Sequence, residues 1–101
     1  MKINITFRHL ESTPAIKQHV EEKMEKLKKY FLGPVAIHVI LSVEKKIRHQ
    51  CEITLTEDHF KATAVEECEN LYASIDTAIH KLERQLKKHK EQVKDHKHHN
   101  A

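Results

Sequence analysis

The residues of this chain that could do covalent chemistry or bind a metal are two cysteines and a histidine-rich end. Cys51 and Cys68 do not form a CxxC pair, and neither lies in a recognisable nucleophile motif. Cys51 follows the inward period of a predicted strand, which favours a buried side chain, and Cys68 lies among glutamates that disfavour a thiolate. His96, His98 and His99 could bind zinc or nickel, but structural zinc needs four ordered ligands. We therefore expect no catalytic residue, no metal site and no cofactor.

Phosphate binding is a second possible chemistry, indicated by cations on a predicted helix. At about 100° per residue, Lys81, Arg84, Gln85 and Lys88 fall on one flank of a helix whose buried stripe is centred on Leu82. No acidic residue of the helix lies among them, and such a ridge repels itself unless phosphates neutralise it. The alternative is an ordinary solvated face, because Lys is also a good helix former. We favour the phosphate ridge.

An earlier predicted helix shows the same segregation of charge. Lys23 and Lys26 share one flank with Tyr30, whereas Glu21 and Glu25 lie on the other. The whole chain carries a net charge of only +3, but its distribution is uneven. Residues 1–79 hold 11 basic and 12 acidic residues, and residues 80–101 hold 7 and 3. This asymmetry indicates a contact with nucleic acid or an acidic surface near the C-terminal end.

The elements that position these residues are predicted from hydrophobic period. Alternating apolar residues predict strands at 2–8, 35–43, 50–56 and 59–65. Apolar residues three and four apart predict a helix from Thr13 and Pro14 to about Tyr30, ended by Gly33. They predict a second helix from an Asn70 cap almost to the end of the chain. The order is β-α-β-β-β-α, an α+β fold with two helices on one face of a four-stranded sheet.

Length and composition suggest a single domain outside the membrane. We expect one folded unit at residues 1–95 and a disordered, histidine-rich tail at residues 96–101. No apolar run approaches the length of a membrane span, and the first ten residues do not form a signal peptide. A cytoplasmic protein with reduced thiols is therefore expected.

Two motifs on the second predicted helix carry a family resemblance. Residues 70–76, NLYASID, and residues 81–90, KLERQLKKHK, resemble the ribosome hibernation promoting factors. Residues 3–6, INIT, and 13–16, TPAI, fit the same family, and the resemblance covers residues 2 to about 95. His80 departs from the pattern, since relatives often have an acidic or amide residue there. The basic end resembles the short form of the family, without a dimerisation domain or an acidic tail.

The resemblance implies a specific function. It implies a domain similar in shape to double-stranded-RNA-binding domains, bound to 16S rRNA in the mRNA and tRNA channel of the small ribosomal subunit. Translation would be blocked in stationary phase or stress, and 100S ribosome dimers would form together with ribosome modulation factor. We expect a monomer in isolation, no membrane association and no enzymatic activity. The candidate rRNA-binding residues are Lys23, Lys26, Lys29, Lys81, Arg84, Gln85, Lys88 and Lys90.

Two other functions are considered. A free double-stranded-RNA-binding module presents cations at the start of its second helix, whereas Glu66, Glu67 and Glu69 occupy that position here. A metal-dependent enzyme or metal carrier would use Cys51, Cys68 and the terminal histidines, and would contain stoichiometric zinc when purified without added metal.

Overall fold

The structure is a computed structural model that describes residues 1–99, with side chains as far as residue 94. Its elements follow the order β-α-β-β-β-α, with a short 3₁₀ turn after the first helix. The bounds are β1 Lys2–Arg8, α1 Pro14–Glu25, the 3₁₀ turn Lys28–Tyr30, β2 Ala36–Glu44, β3 Arg48–Glu57, β4 Phe60–Cys68 and α2 Leu71–His99. The predicted fold class is confirmed.

The four strands form one mixed sheet in the order β1-β2-β3-β4. β1 pairs with β2 in parallel, because α1 carries the chain back across the sheet, and the other two pairings are antiparallel hairpins. Ile3 lies opposite Ile37 and Ile37 opposite Leu55, so the apolar residues of neighbouring strands share one face. Both helices must cover this face to bury it.

The core lies between that face and the two helices. Val20 and Met24 of α1 and Leu82 of α2 are fully buried, and they belong to the same cluster as Val39 and Ile53 of the sheet. Truncating a fully buried leucine such as Leu82 to alanine typically costs about 2–5 kcal/mol. The core therefore fixes how both helices lie on the sheet, and with them the cations on the helix flanks.

α1 begins as predicted but ends earlier. Thr13 caps it, because the Thr13 Oγ1 accepts a hydrogen bond from the Ile16 N–H at 3.2 Å. The helix ends at Glu25, and the chain then tightens into the 3₁₀ turn through bonds three residues apart, such as Tyr30 N–H to Leu27 O at 3.0 Å. Helix ends often tighten in this way to pair their last carbonyls. Leu27 remains buried, which explains why a periodic pattern overestimated the helix.

β4 is longer than predicted, since it continues through residues 66–68. The turn before it consists of Asp58 and His59, with Glu57 paired to Phe60. Asp58 has a φ of 51°, a left-handed conformation that Asp tolerates better than most residues. Asp58 and His59 therefore form a two-residue hairpin turn without Gly or Asn.

α2 begins at Leu71, and the Asn70 Oδ1 accepts a hydrogen bond from the Ala73 N–H at 3.1 Å, as a cap should. The helix continues to His99. No Pro or Gly follows Pro34, so nothing in this stretch interrupts a helix. The expected division into a folded unit at residues 1–95 and a tail at residues 96–101 stays a prediction. Residues 100 and 101 of the expected tail lie outside the described residues.

Candidate nucleic-acid interface

One flank of α2 faces the edge of the sheet at β4. The Gln85 side-chain amide donates to the backbone oxygen of Thr63 at 2.8 Å, and the Lys81 ammonium forms an ion pair with Glu66. The sequence prediction considered only the acids of the helix itself, whereas the acid that pairs with Lys81 comes from β4. The predicted strand ended at residue 65 and left Glu66 outside the sheet, but the alternation of Ala62 and Ala64 places Glu66 on the helix-covered face once β4 is extended.

Arg84 and Lys88 are the exposed cations of this ridge. Neither forms an ion pair or a hydrogen bond with any side chain or backbone group of residues 1–94. Lys81 is already partly neutralised by Glu66, and Gln85 has its amide bound to Thr63. Within the predicted ridge, the charge available to an external phosphate therefore resides mainly on Arg84 and Lys88.

The other flank of α2 faces α1 and forms a groove between the helices. His19 Nε2 lies 2.7 Å from Asp76 Oδ1, and its ring meets the Tyr72 ring edge-on at 4.9 Å. Further along, the Tyr30 hydroxyl donates to Glu83 Oε2 at 3.3 Å. These contacts fix α1, through His19, and the 3₁₀ turn, through Tyr30, against α2.

On the helical wheel Lys23 lies on the same flank of α1 as His19, and Lys26 follows the last residue of the helix, so both are expected beside the groove. Lys26 is exposed and Lys23 is half-buried. Neither pairs with a carboxylate of residues 1–94. The two acids of α2 that face α1 and the turn, Asp76 and Glu83, contact His19 and Tyr30 instead.

Lys90 and Lys29 meet where α2 passes the 3₁₀ turn that follows α1. The Lys90 ammonium donates to the backbone oxygen of Lys29 at 2.6 Å, which places a cation on a carbonyl released at the end of the 3₁₀ turn. The Lys29 ammonium lies 5.3 Å from the centre of the Tyr30 ring. The Lys90 side chain thus links α2 to the 3₁₀ turn that follows α1. The Lys29 side chain stays exposed, so its ammonium is accessible from solvent.

The eight candidate residues therefore form two surfaces on either side of α2. Lys81, Gln85 and Lys88 lie on the β4 side, and the α1 cations with Lys90 lie on the groove side, with Arg84 on the outer crest of α2. A helix with its side chains is about 10–12 Å across. Two such surfaces can contact two separate phosphate backbones.

Acidic residues also lie around α2. Glu67 and Glu69 precede its first turn, near the positive end of the helix dipole. Glu66 lies beside Lys81 on the β4 side, and Asp76 and Glu83 face the groove. Glu67 also pairs with Arg48 at 2.7 Å. Glu67 and Glu69 therefore disfavour phosphate at the start of α2, whereas every Lys and Arg of residues 71–94 lies at Lys81 or beyond.

In the part of the chain with described side chains, the cysteines and histidines form neither a metal site nor a pair of nucleophile and base. No three side chains among His, Cys, Asp and Glu gather there as metal ligands. Cys51 is fully buried, and burial raises the pKa of its thiol to about 12. The Cys68 thiol donates to the backbone oxygen of Asn70 at 2.9 Å. The side chains of His96, His98 and His99 lie outside the described residues.

None of the helices described here has both the length and the apolar character needed to cross a membrane. α2 is long enough at 29 residues, but charged side chains recur along it.

Comparison with known proteins gives a consistent result. Residues 3–94 match the family model described as Sigma 54 modulation protein / S30EA ribosomal protein. The ribosome hibernation promoting factor of Escherichia coli K12 is 40% identical over 96 residues, which cover 95% of this chain and all of that protein. That of Azotobacter vinelandii is 40% identical over 91 residues, which cover 90% of this chain and 84% of that protein.

Two solved structures have the same fold. The N-terminal domain of Thermus thermophilus Protein Y superposes with a TM-score of 0.80 at 35% identity, over 87% of this chain and 98% of that chain. A ribosomal subunit interface protein from Coxiella burnetii superposes with a TM-score of 0.76 at 25% identity, over 89% and 98% of the respective chains.

Proposed function

Because this chain belongs to the Sigma 54 modulation protein / S30EA ribosomal protein family, we propose that it is a ribosome hibernation factor that binds the small ribosomal subunit. It acts by occupying the channel of mRNA and tRNA, which blocks translation when growth stops. Its partner there is 16S rRNA. The observation that best supports an RNA contact is the pair of exposed cations, Arg84 and Lys88, that no acid of residues 1–94 neutralises.

Binding is driven mainly by phosphate contacts on the two sides of α2. Arg84 and Lys88 release counterions from rRNA on the crest and the β4 side, and Lys23, Lys26 and Lys29 do so along the groove. Lys81 joins them when it exchanges Glu66 for a phosphate. Gln85 and Lys90 contribute indirectly, because their contacts with Thr63 and with the Lys29 carbonyl hold α2 in place.

Inhibition requires a rigid body and no chemistry. α2 is fixed by the core through Leu82 and Leu86, and it is tied to α1 by the contacts of His19 and Tyr30. A folded domain held by phosphate contacts excludes mRNA and tRNA from the same channel by volume alone. No catalytic residue is needed, and a cytoplasmic location follows from the ribosomal partner.

Dimerisation of ribosomes is part of the same proposal. Like the short relatives, this chain would act together with ribosome modulation factor, and 100S dimers would form from ribosomes whose channel it occupies. The protein itself would remain a monomer when free. Density-gradient profiles of stationary-phase ribosomes, with and without this protein, test this step.

Co-sedimentation with purified small subunits tests the binding site. Changing Lys81, Arg84 and Lys88 together to Glu should abolish binding, and binding of the unchanged protein should weaken steeply with salt. A control changes to Glu both Lys46, in the turn between β2 and β3, and Lys61, whose side chain is on the face of the sheet opposite the helices. Unchanged binding by the α2 variant would overturn the assignment of the ridge. Tight binding to naked duplex RNA without binding to subunits would favour the double-stranded-RNA module instead.

A further inference from the structure

The two edges of the sheet differ in how they are covered. At the β4 edge, the Gln85 side chain of α2 caps the outward backbone oxygen of Thr63 at 2.8 Å. At the opposite edge, β1 pairs only with β2. β1 is seven residues long and contains no Pro, the usual means of blunting an edge strand. The backbone edge of β1 is therefore open for pairing.

The register identifies the groups that point outward. Lys2 N–H donates to Val35 O at 3.1 Å, so the backbone N–H and C=O of Lys2 face β2. Backbone direction alternates along a strand, and the N–H and C=O groups of Ile3, Ile5 and Phe7 consequently face away from the sheet. Outside the sheet pairing, these groups form no hydrogen bond with other residues of the described chain.

A shallow cleft of about 360 Å³ runs beside this edge, between β1 and α1. Ile3 and Ile5 line it and remain partly exposed, while their partners on β2 are buried. The rest of its lining is mainly polar and is formed by Met1, by Glu21 and Glu25 of α1, and by Lys28. Lys28 is paired with Glu25 at 2.7 Å, whereas Glu21 forms no ion pair with the side chains of residues 1–94.

We propose that the open edge of β1 binds an extended, lysine- and arginine-rich segment of another protein as an added strand. The outward backbone groups would supply its hydrogen bonds, Ile3 and Ile5 its apolar contacts, and Glu21 a partner for one of its cations. In the ribosomal role proposed above, on which this identification of the source rests, the segment is a basic tail of a ribosomal protein. The protein would then hold rRNA through α2 and a ribosomal protein through β1.

The charge beside β1 favours a basic peptide over two other possible occupants of this edge, an RNA strand and a second copy of this chain. An RNA strand would bring phosphates against Glu21, Glu22 and Glu25, which lie on the flank of α1 facing away from α2. A second copy of this chain would set the acidic flank of its own α1 along the same junction, so like charges would meet. A basic extended peptide meets neither repulsion.

Amide hydrogen exchange measured by NMR on the whole isolated protein tests the proposal. The probe is a heptapeptide that alternates lysine and valine, and its control alternates glutamate and valine. With the lysine peptide at about ten times its Kd, the amides of Ile3, Ile5 and Phe7 should exchange roughly tenfold more slowly. The amides of Asn4 and Thr6, already bonded to β2, should change little. Absence of selective protection at the three outward amides would overturn the proposal.

A charge-reversed variant adds a second criterion. Glu21→Lys should weaken peptide binding by roughly two- to fivefold, as expected for an exposed ion pair. Glu91→Lys, the same change at an exposed position of α2, should not weaken it.

Two other outcomes identify a different occupant of the β1 edge. Protection of the outward amides that appears without peptide and grows with protein concentration would show that a second copy of this chain binds there, and protection by an RNA oligonucleotide would show that RNA does. Either result would overturn the proposal. Small-subunit binding is measured separately by co-sedimentation. If the protein does not bind the subunit, the exchange experiment still shows whether β1 binds a basic peptide.

Discussion

Replacing Glu66 by glutamine should strengthen binding to the small subunit. In the free protein the Lys81 ammonium is paired with Glu66, which is 21% exposed, while the Lys81 side chain is 54% exposed. Glutamine keeps the size of the side chain and removes its charge. The variant therefore frees one cation on the ridge and removes one acid that repels phosphate. Glu66 belongs to β4 and not to the ridge, yet its replacement by glutamine should raise the affinity of the protein for the small subunit.

The magnitude follows from one additional phosphate contact. Each contact adds about 0.7–0.9 to the slope of log K against log salt, which at about 0.1 M salt corresponds to roughly five- to eightfold tighter binding. The cost in folding is small, because pairs as exposed as Lys81 and Glu66 contribute about 0–1 kcal/mol. Co-sedimentation with small subunits from about 0.05 to about 0.2 M salt measures both affinity and slope.

Glu67→Gln is the matched control. Glu67 is the next residue on β4 and has the same charge, but its partner is Arg48 of β3 at 2.7 Å. It should change the affinity less than Glu66→Gln. The reasoning fails if Glu66→Gln leaves the affinity unchanged, lowers it, or changes it only as much as the control does.

Three further predictions concern the described contacts. Gln85→Ala should lower the free energy of unfolding in urea by about 0.5–1.5 kcal/mol through loss of its bond to Thr63, and should weaken subunit binding less than loss of Arg84 or Lys88 because Gln85 acts only by holding α2 in place. Glu57→Ala should cost about 1–3 kcal/mol, because the Glu57 carboxylate accepts two backbone N–H groups at 2.7 and 3.2 Å, and Glu57→Gln should cost less. Between pH 9.0 and about 12 an unfolded Cys51 thiol ionises while the buried one stays protonated, so stability falls as pH rises. Relative to Cys51→Ala, the free energy of unfolding should fall by about 1.4 kcal/mol per pH unit in that range.

The sequence predicted the fold well, because its signals are local. The alternation at β1, the Thr13 and Asn70 caps and the stripe around Leu82 each depend on neighbouring residues, and the structure confirms them. The end of α1 was not predictable in this way. Leu27 keeps the helical period although the backbone has already tightened into the 3₁₀ turn, since burial and hydrogen bonding change at different residues.

The arrangement of the candidate site depends on contacts between distant residues. A helical wheel selects Lys81, Arg84 and Lys88, but it cannot show that β4 brings Glu66 to the first of them. Nor can it show that Gln85 caps Thr63, 22 residues earlier in the chain. Both contacts require the position of α2 on the sheet. The assignment of these cations to rRNA therefore stays a prediction, with Arg84 and Lys88 as its most direct candidates.

The most direct test is the structure of the small subunit with this protein bound, determined by cryo-electron microscopy. We expect density for the domain in the mRNA and tRNA channel, with Arg84 and Lys88 against rRNA phosphates and with Lys23 and Lys26 facing a second segment of rRNA. A domain bound outside the channel, or one that turns α2 toward solvent and lays the solvent-exposed face of the sheet on rRNA, would show that the proposed role is wrong.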